Sequence, residues 1–253
     1  FPHSIGLIYS AFTAFLGFRV NNGEYKVMGM AAYGDPIYEE NVRKVLCPAE
    51  DGSFTVDTSY VSYHYSATDS YTEKFETLFG EPRFPGSAFD PTTPEGKRYA
   101  DIAASIQKVT EDCMVALANR LHKETGLDHL CLAGGVALNS VANTQILERT
   151  PFKTLSVHPA AGDDGGAVGA ALWAWNDVLG MERNQPITTA GLGQAWGHAE
   201  VSEMLSDLKI AHEDVGDQYC DMAAADIAEG KVIGWFQDGF EWGPRALGHR
   251  SIL

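Results

Sequence analysis

The stretch CLAGGVALN, residues 131–139, decides the reading of this chain. Apolar residues run straight into Gly134-Gly135, and Asn139 tips the turn that follows. Leu130–Ala133 reads as a buried strand and Ser140–Arg149 as a helix, so the glycine pair sits on a strand-to-helix corner. A second corner follows. Gly162-Asp163-Asp164-Gly165-Gly166-Ala167 lies between a strand-like run, 152–158, and a small-residue helical run, 166–179. Glycine lacks the side chain that would hold backbone away from a phosphate or an adenosine, and a helix start offers unpaired N–H groups. An acid beside the second corner adds an oxygen ligand for the metal that accompanies phosphates.

Elements around the corners complete the pattern. Tyr9, Phe12, Phe15 and Leu16 recur at helical spacing within 4–20, and Asn21-Asn22-Gly23 is a turn. Residues 23–35 predict a short helix that Gly34 ends, and 37–46 a further one. The segment 52–65 alternates and is rich in Thr, Val and Tyr, which predicts strands. Prolines and glycines make 80–97 a loop excursion. The longest helix signal spans Lys97–Thr125, with Ala100, Ala103, Ile106, Val109, Cys113 and Leu117 as its buried stripe. Helix, strand, helix, strand, helix in succession predicts an α/β fold with right-handed crossovers on a mostly parallel sheet. Pro186, Gly191, Gly193 and Gly197 break the periodicity, which sets two domains at 1–185 and 186–253. The second carries helices at 199–209 and 219–229, then an apolar strand at 232–236.

A chain of 253 residues buries a core without disulfides or structural metal. Its formal charge of −16, from 34 acids against 18 bases, repels phosphate backbones and anionic membranes. Nucleic acid is therefore not expected as a main partner, although such acidity is also ordinary in soluble enzymes. No apolar run reaches the roughly 18 residues a membrane span needs. The first residues lack the basic leader of a signal peptide, and the four cysteines form no CxxC pair, so a reducing cytoplasm is expected.

Each chemical element has two readings. Tight strand-to-helix turns use glycine whether or not a ligand approaches Gly134 and Gly135. Asp163 and Asp164 serve either as a helix cap or as metal ligands. Taken together, the two corners point to a nucleotide–metal site. Arg245 and Arg250, in EWGPRALGHR, are either surface ion-pair residues or forks for phosphate and carboxylate oxygens. Glu24, Lys26 and Tyr33 belong to a helix whose polar residues read by themselves as solvent-facing. His158 stands near the second corner, where packing and a site role are both open. No HxxxH or HExxH pair and no Ser/His/Asp constellation can be argued from spacing.

Five segments then carry a resemblance: HSIGLIYSAFTAFLGF (3–18), GEYKVMGMAAYGD (23–35), LAGGVALNSVANTQIL (132–147), HPAAGDDGGAVGAAL (158–172) and IGWFQDGFEWGPRALGHRSIL (233–253). Together they resemble the O-carbamoyltransferases of antibiotic and nodulation-factor biosynthesis, along nearly the whole chain. The first half also looks like the threonylcarbamoyl-transfer proteins of tRNA modification. The resemblance implies part of an actin-like ATPase (ribonuclease H-like) domain, followed by the start of a YrdC-like domain. It implies carbamoyl adenylate made from carbamoyl phosphate and ATP, and carbamoyl transfer to a hydroxyl of a natural-product or sugar acceptor. Carried over by motif, Gly134, Gly135, Val136 and Asn139 would line the adenosine and phosphate pocket, with Gly165 and Gly166 at the second corner. Glu24 and Lys26 would face the ribose or acceptor side, and Arg245 and Arg250 the carbamoyl phosphate and ATP site of the C-terminal part. Asp164, with Asp163 as fallback, would bind a divalent metal, iron or Mg. Homo-oligomer formation is left open.

The chain also departs from the family pattern. A phosphate-binding loop, an HxxxH pair and an Asp-Gly motif that open the pattern do not precede Phe1, and most of the YrdC-like domain is not found before Leu253. One carboxylate does not hold a catalytic ion. The expectation is that this piece alone is inactive while its parent enzyme is a carbamoyltransferase. The competing readings are a tRNA-modifying transferase and a non-catalytic nucleotide-binding module of the same fold.

Overall fold

A computed structural model describes residues 1–183 and 187–253. Its contacts divide the chain into two compact units, Phe1–Val157 and His158–Leu253. The boundary expected at 185/186, with Pro186, lies outside the described residues.

In the first unit the spine is the helix α5, Pro94–Thr125, and its ends are written in the sequence. Thr93 caps it by accepting from Gly96 N, Pro94 occupies the first turn, and Gly126 ends it in the left-handed conformation. The loop expected over 80–97 therefore stops at Thr93, because proline fits a helix start. Helices α1 (Ile5–Phe15), α2 (Glu24–Ala31) and α3 (Glu39–Val45) pack on α5. Helix α2 ends earlier than Gly34. The chain after it is pinned to α5 where Asp35 N donates to Asp101 Oδ1 at 2.7 Å and Lys97 pairs with Asp35 at 2.6 Å.

A short helix that the sequence reading left unassigned, α4 (Glu73–Phe79), delivers Phe75 and Phe79 to the core. There they meet Phe12 edge-on at 4.8 and 5.1 Å. The strands expected over 52–65 are reduced to β2, Phe54–Val56, paired antiparallel with β1, Leu46–Pro48. Asp57 accepts from both Ser59 N and Ser59 Oγ, a local turn that competes with the ladder and starts a 3-10 turn at Thr58–Tyr60.

The stretch that opens the sequence reading forms β3 (His129–Leu132), then α6 (Ser140–Arg149), then β4 (Thr154–Val157). Strands β3 and β4 pair in parallel, Leu130 opposite Leu155. The α/β class stands, but the mostly parallel sheet does not. Among the described residues the strands make three two-stranded sheets, of which β3–β4 alone is parallel.

In the second unit, α7 (Gly165–Trp173) continues into a π-turn over Ala174–Val178, where one longer α-helix was expected. Helices α8 (His198–Asp207) and α9 (Tyr219–Ala228) precede a hairpin of β5 (Gly234–Phe236) and β6 (Arg250–Ile252). Its buried side chains among the described residues are Ala160, Ala161 and Glu241, so backbone pairing and a carboxylate replace an apolar core. Gly193 N donates to Phe240 O, and Trp242 N to Ala190 O, tying the 190–194 loop to the 239–242 loop. No helix among the described residues is long and apolar enough to cross a membrane.

Cysteine chemistry follows from burial. Cys113 sits in the α5 core, where burial pushes its thiol up to about 11, whereas Cys131 and Cys220 are exposed. Because the thiolate is the reacting form, iodoacetamide at pH 8 should label Cys131 and Cys220 and spare Cys113 until the chain unfolds. Peptide mass mapping checks this, and labelling of Cys113 at the rate of Cys131 would contradict the assignment.

Candidate functional site

The first corner lies in the first unit. Gly134 has φ +94 with an extended ψ, a backbone region that only glycine enters without strain. Gly135 is different. A Cβ built there meets nothing within 4 Å, and its φ is not left-handed. The fold therefore requires glycine at 134 and does not require it at 135, where open space lies beside the backbone. Gly135–Leu138 forms a 3-10 turn, and Val136 reaches toward α1, 3.2 Å from a Cβ that Gly6 would carry.

Asn139 is tied into the structure on both faces of its amide. Its Oδ1 accepts from Ala142 N at 3.1 Å, capping α6, while its Nδ2 donates to Gln107 Oε1 at 3.0 Å. Gln107 Oε1 also accepts from buried Tyr9 at 2.9 Å, and Gln107 Nε2 donates to Glu111 at 2.8 Å. This network fixes the corner to α1 and α5. Sequence reasoning missed Gln107, because a single Gln in a helix stripe carries no periodic signal.

Helix α2 borders the same corner, since Ser140 Oγ reaches Met28 Sδ at 3.9 Å. Glu24 is half-buried and locally held, accepting from Ser10 Oγ at 2.8 Å and Asn21 N at 2.9 Å. Lys26 is exposed, and its ammonium lies over the rings of Phe18 and Tyr25, at 5.9 and 5.8 Å. Of the two, Lys26 is the group free to meet an anion.

The second corner and the EWGPRALGHR loop both belong to the second unit, and the fold brings them together. A Cβ on Gly243 would stand 2.5 Å from Pro159 O and 3.2 Å from Ala160 N. At the corner, Gly165 is structural, because a Cβ there would sit 2.0 Å from Ala160 O. Gly166, one residue on, faces open space. Gly165→Ala should therefore lower the urea midpoint of the second unit. Gly166→Ala should hold it or raise it, since alanine adds about 0.5 kcal/mol of stability through helix propensity. Equal midpoints for the two variants would refute this placement.

Asp163 and Asp164 are exposed, and neither side chain caps α7. Among the described residues no group of three His, Cys, Asp or Glu side chains is placed to hold a metal ion. The donor set present here does not fit a metal centre by itself.

The loop of residues 241–250 is organised by a residue that sequence reasoning overlooked. Glu241 has a fully buried side chain, and its Oε1 accepts from Leu247 N at 2.8 Å and His249 N at 2.9 Å. Its Oε2 faces Arg250 Nε at 3.3 Å, and Arg250 Nη2 donates to Gly243 O at 2.5 Å. Arg250 thus holds its own loop, while one side of it lines a groove of about 480 Å³ with Trp235, Phe236, Pro244 and Ser251. Arg245 stands half-buried in the same loop. The signal for Glu241 was legible: it is the lone acid in a run that holds two arginines.

Residues 1–172 match the family described as carbamoyltransferase N-terminus, and residues 224–253 match carbamoyltransferase C-terminus. An uncharacterized protein of Synechocystis is 45% identical over 100% of this chain and 42% of its own length. Nodulation protein NolO of Bradyrhizobium diazoefficiens is 32% identical over 99% of this chain and 43% of its own length. The 3'-hydroxymethylcephem-O-carbamoyltransferase of Streptomyces clavuligerus is 31% identical over 49% of this chain and 22% of its own. The chain spans well under half the length of these relatives.

Proposed function

This chain belongs to the carbamoyltransferase family, and from that premise we propose that it takes part in moving a carbamoyl group from carbamoyl phosphate to a hydroxyl of a small-molecule acceptor. The intermediate is carbamoyl adenylate: water cleaves carbamoyl phosphate to carbamate and inorganic phosphate, a carbamate oxygen attacks the α-phosphorus of ATP and expels pyrophosphate, and the acceptor hydroxyl then displaces AMP. One observation carries the reading: Gly135 and Gly166 are glycines the fold itself does not require, each beside open space on a strand-to-helix corner. Backbone kept bare without a packing reason suits close approach of a phosphate or a ribose.

The residues divide the work as follows. Gly134 and Gly135, with Val136 and Asn139 fixing the turn, offer backbone to the nucleotide, and exposed Lys26, on the helix that reaches this corner through Met28, supplies a cation. Gly166, beside Gly165, keeps the start of α7 open in the second unit. Arg245 gives charge to carbamoyl phosphate oxygens, and Arg250 holds the loop that carries it. Preorganised donors of this kind stabilise charge as it develops on the leaving AMP. The carboxylates of Asp163 and Asp164 do not make a metal centre by themselves, since among the described residues no group of three metal-ligating side chains is present. The parallel pair β3–β4 with its glycine corner supports an actin-like nucleotide-binding domain, and the YrdC-like reading of residues 186–253 rests on the resemblance. Four unpaired cysteines fit a reducing cytoplasm.

The test uses a protein of the relatives' full length that carries this chain. Pyrophosphate release from ATP should depend on carbamoyl phosphate, and Gly166→Ala should slow it while the protein stays folded. Release that ignores carbamoyl phosphate would end the proposal.

A further inference from the structure

His158 opens the second corner, and the structure uses one side of its ring. Ala160 N donates to Nδ1 at 3.0 Å, so that nitrogen carries no proton and Nε2 does. The Nε2 atom is buried and meets no hydrogen-bond partner among the described residues. A donor removed from water without an acceptor is costly, and most buried polar groups in folded proteins find one. Nor can the turn readily swing to relieve it. Gly243 is seated against Pro159 O and Ala160 N, so moving the turn means moving the 241–250 loop.

The geometry points to a ligand contact: His158 Nε2–H donates a hydrogen bond to an oxygen of a phosphoryl or carbamoyl group bound at the second corner. The inference rests on reading this corner as part of a carbamoyl-transfer site. It goes further by giving the corner a side-chain donor that contacts the substrate.

The test uses a protein of the relatives' full length that carries this chain, labelled with ¹⁵N-histidine, followed by long-range ¹H–¹⁵N correlation. The free chain should show His158 as the Nε2–H tautomer. Carbamoyl phosphate, inorganic phosphate and ATP are then added separately, and at least one should shift the Nε2 resonance. A response to carbamoyl phosphate and inorganic phosphate assigns the contact to that substrate, and a response to ATP alone assigns it to the nucleotide. An Nδ1–H tautomer, or no shift with any of the three, overturns the inference.

Two variants separate the donor from the turn. His158→Asn keeps an acceptor for Ala160 N and removes the Nε2 donor. It should keep the urea midpoint and bind the responding probe about tenfold more weakly by calorimetry. His158→Gln places an N–H near the lost position and should recover part of that loss. Unchanged binding by His158→Asn would show that the ring serves the turn alone and would overturn the inference. A shifted His158 in a family member that transfers no carbamoyl group would leave the contact standing and remove the functional reading instead.

Discussion

Replacing Phe12 with alanine is expected to destabilise the first unit by about 4 kcal/mol, the range for emptying a buried phenylalanine site. Phe12 is fully buried, with Phe75 and Phe79 edge-on against it, and Phe15 packs on the same two rings at 5.3 and 6.1 Å. Removing one ring leaves a cavity that helices anchored on α5 cannot close cheaply, and it also forfeits the edge-to-face contacts. The chain supplies its own reporters. All five tryptophans fall in the second unit, and nine of the ten tyrosines fall in the first. Urea unfolding followed by tyrosine absorbance should therefore show the loss. A shift below about 1.5 kcal/mol would mean that the aromatic cluster is not the core of the unit.

Replacing Glu241 with alanine should cost the second unit about 3 kcal/mol, at the low end for breaking a buried ion pair because Arg250 keeps partial access to water. Two backbone N–H groups, at Leu247 and His249, lose their acceptor at once, and Arg250 loses its carboxylate. The second unit has little apolar burial to compensate. Trp242 adjoins the carboxylate, so tryptophan fluorescence in urea reads the change directly. Glu241→Gln retains one oxygen for the two N–H groups and should recover part of the loss. A wild-type midpoint for Glu241→Ala would show that the loop is held by other contacts.

Most elements of the fold were legible because they depend on local rules. Helix α5 carries its own cap, proline and glycine stop, and α6 matches its expected bounds, since Asn139 marks the start that the structure uses as a cap. The strand reading of 52–65 failed for an equally local reason: alternation outweighed the Asp57–Ser59 turn in the pattern, whereas the turn wins in the chain. The glycine corners were visible, but their glycines are not equivalent. Gly165 answers to Ala160 O and Gly166 to nothing in the fold, a distinction that no spacing rule contains.

By itself the sequence determined the α/β class, the helix–strand–helix–strand–helix succession from α5 to α7, the two glycine corners and the family. Those follow from periodicity, capping and motif, which act between residues near one another along the chain. Tertiary structure alone decided that Glu241 ties down the arginine loop, that Gly243 seats this loop on the His158 turn, and that Arg250 faces inward to a carboxylate. Burial and the orphaned face of a ring depend on which distant segments share a volume, and that is fixed only when the chain closes around them.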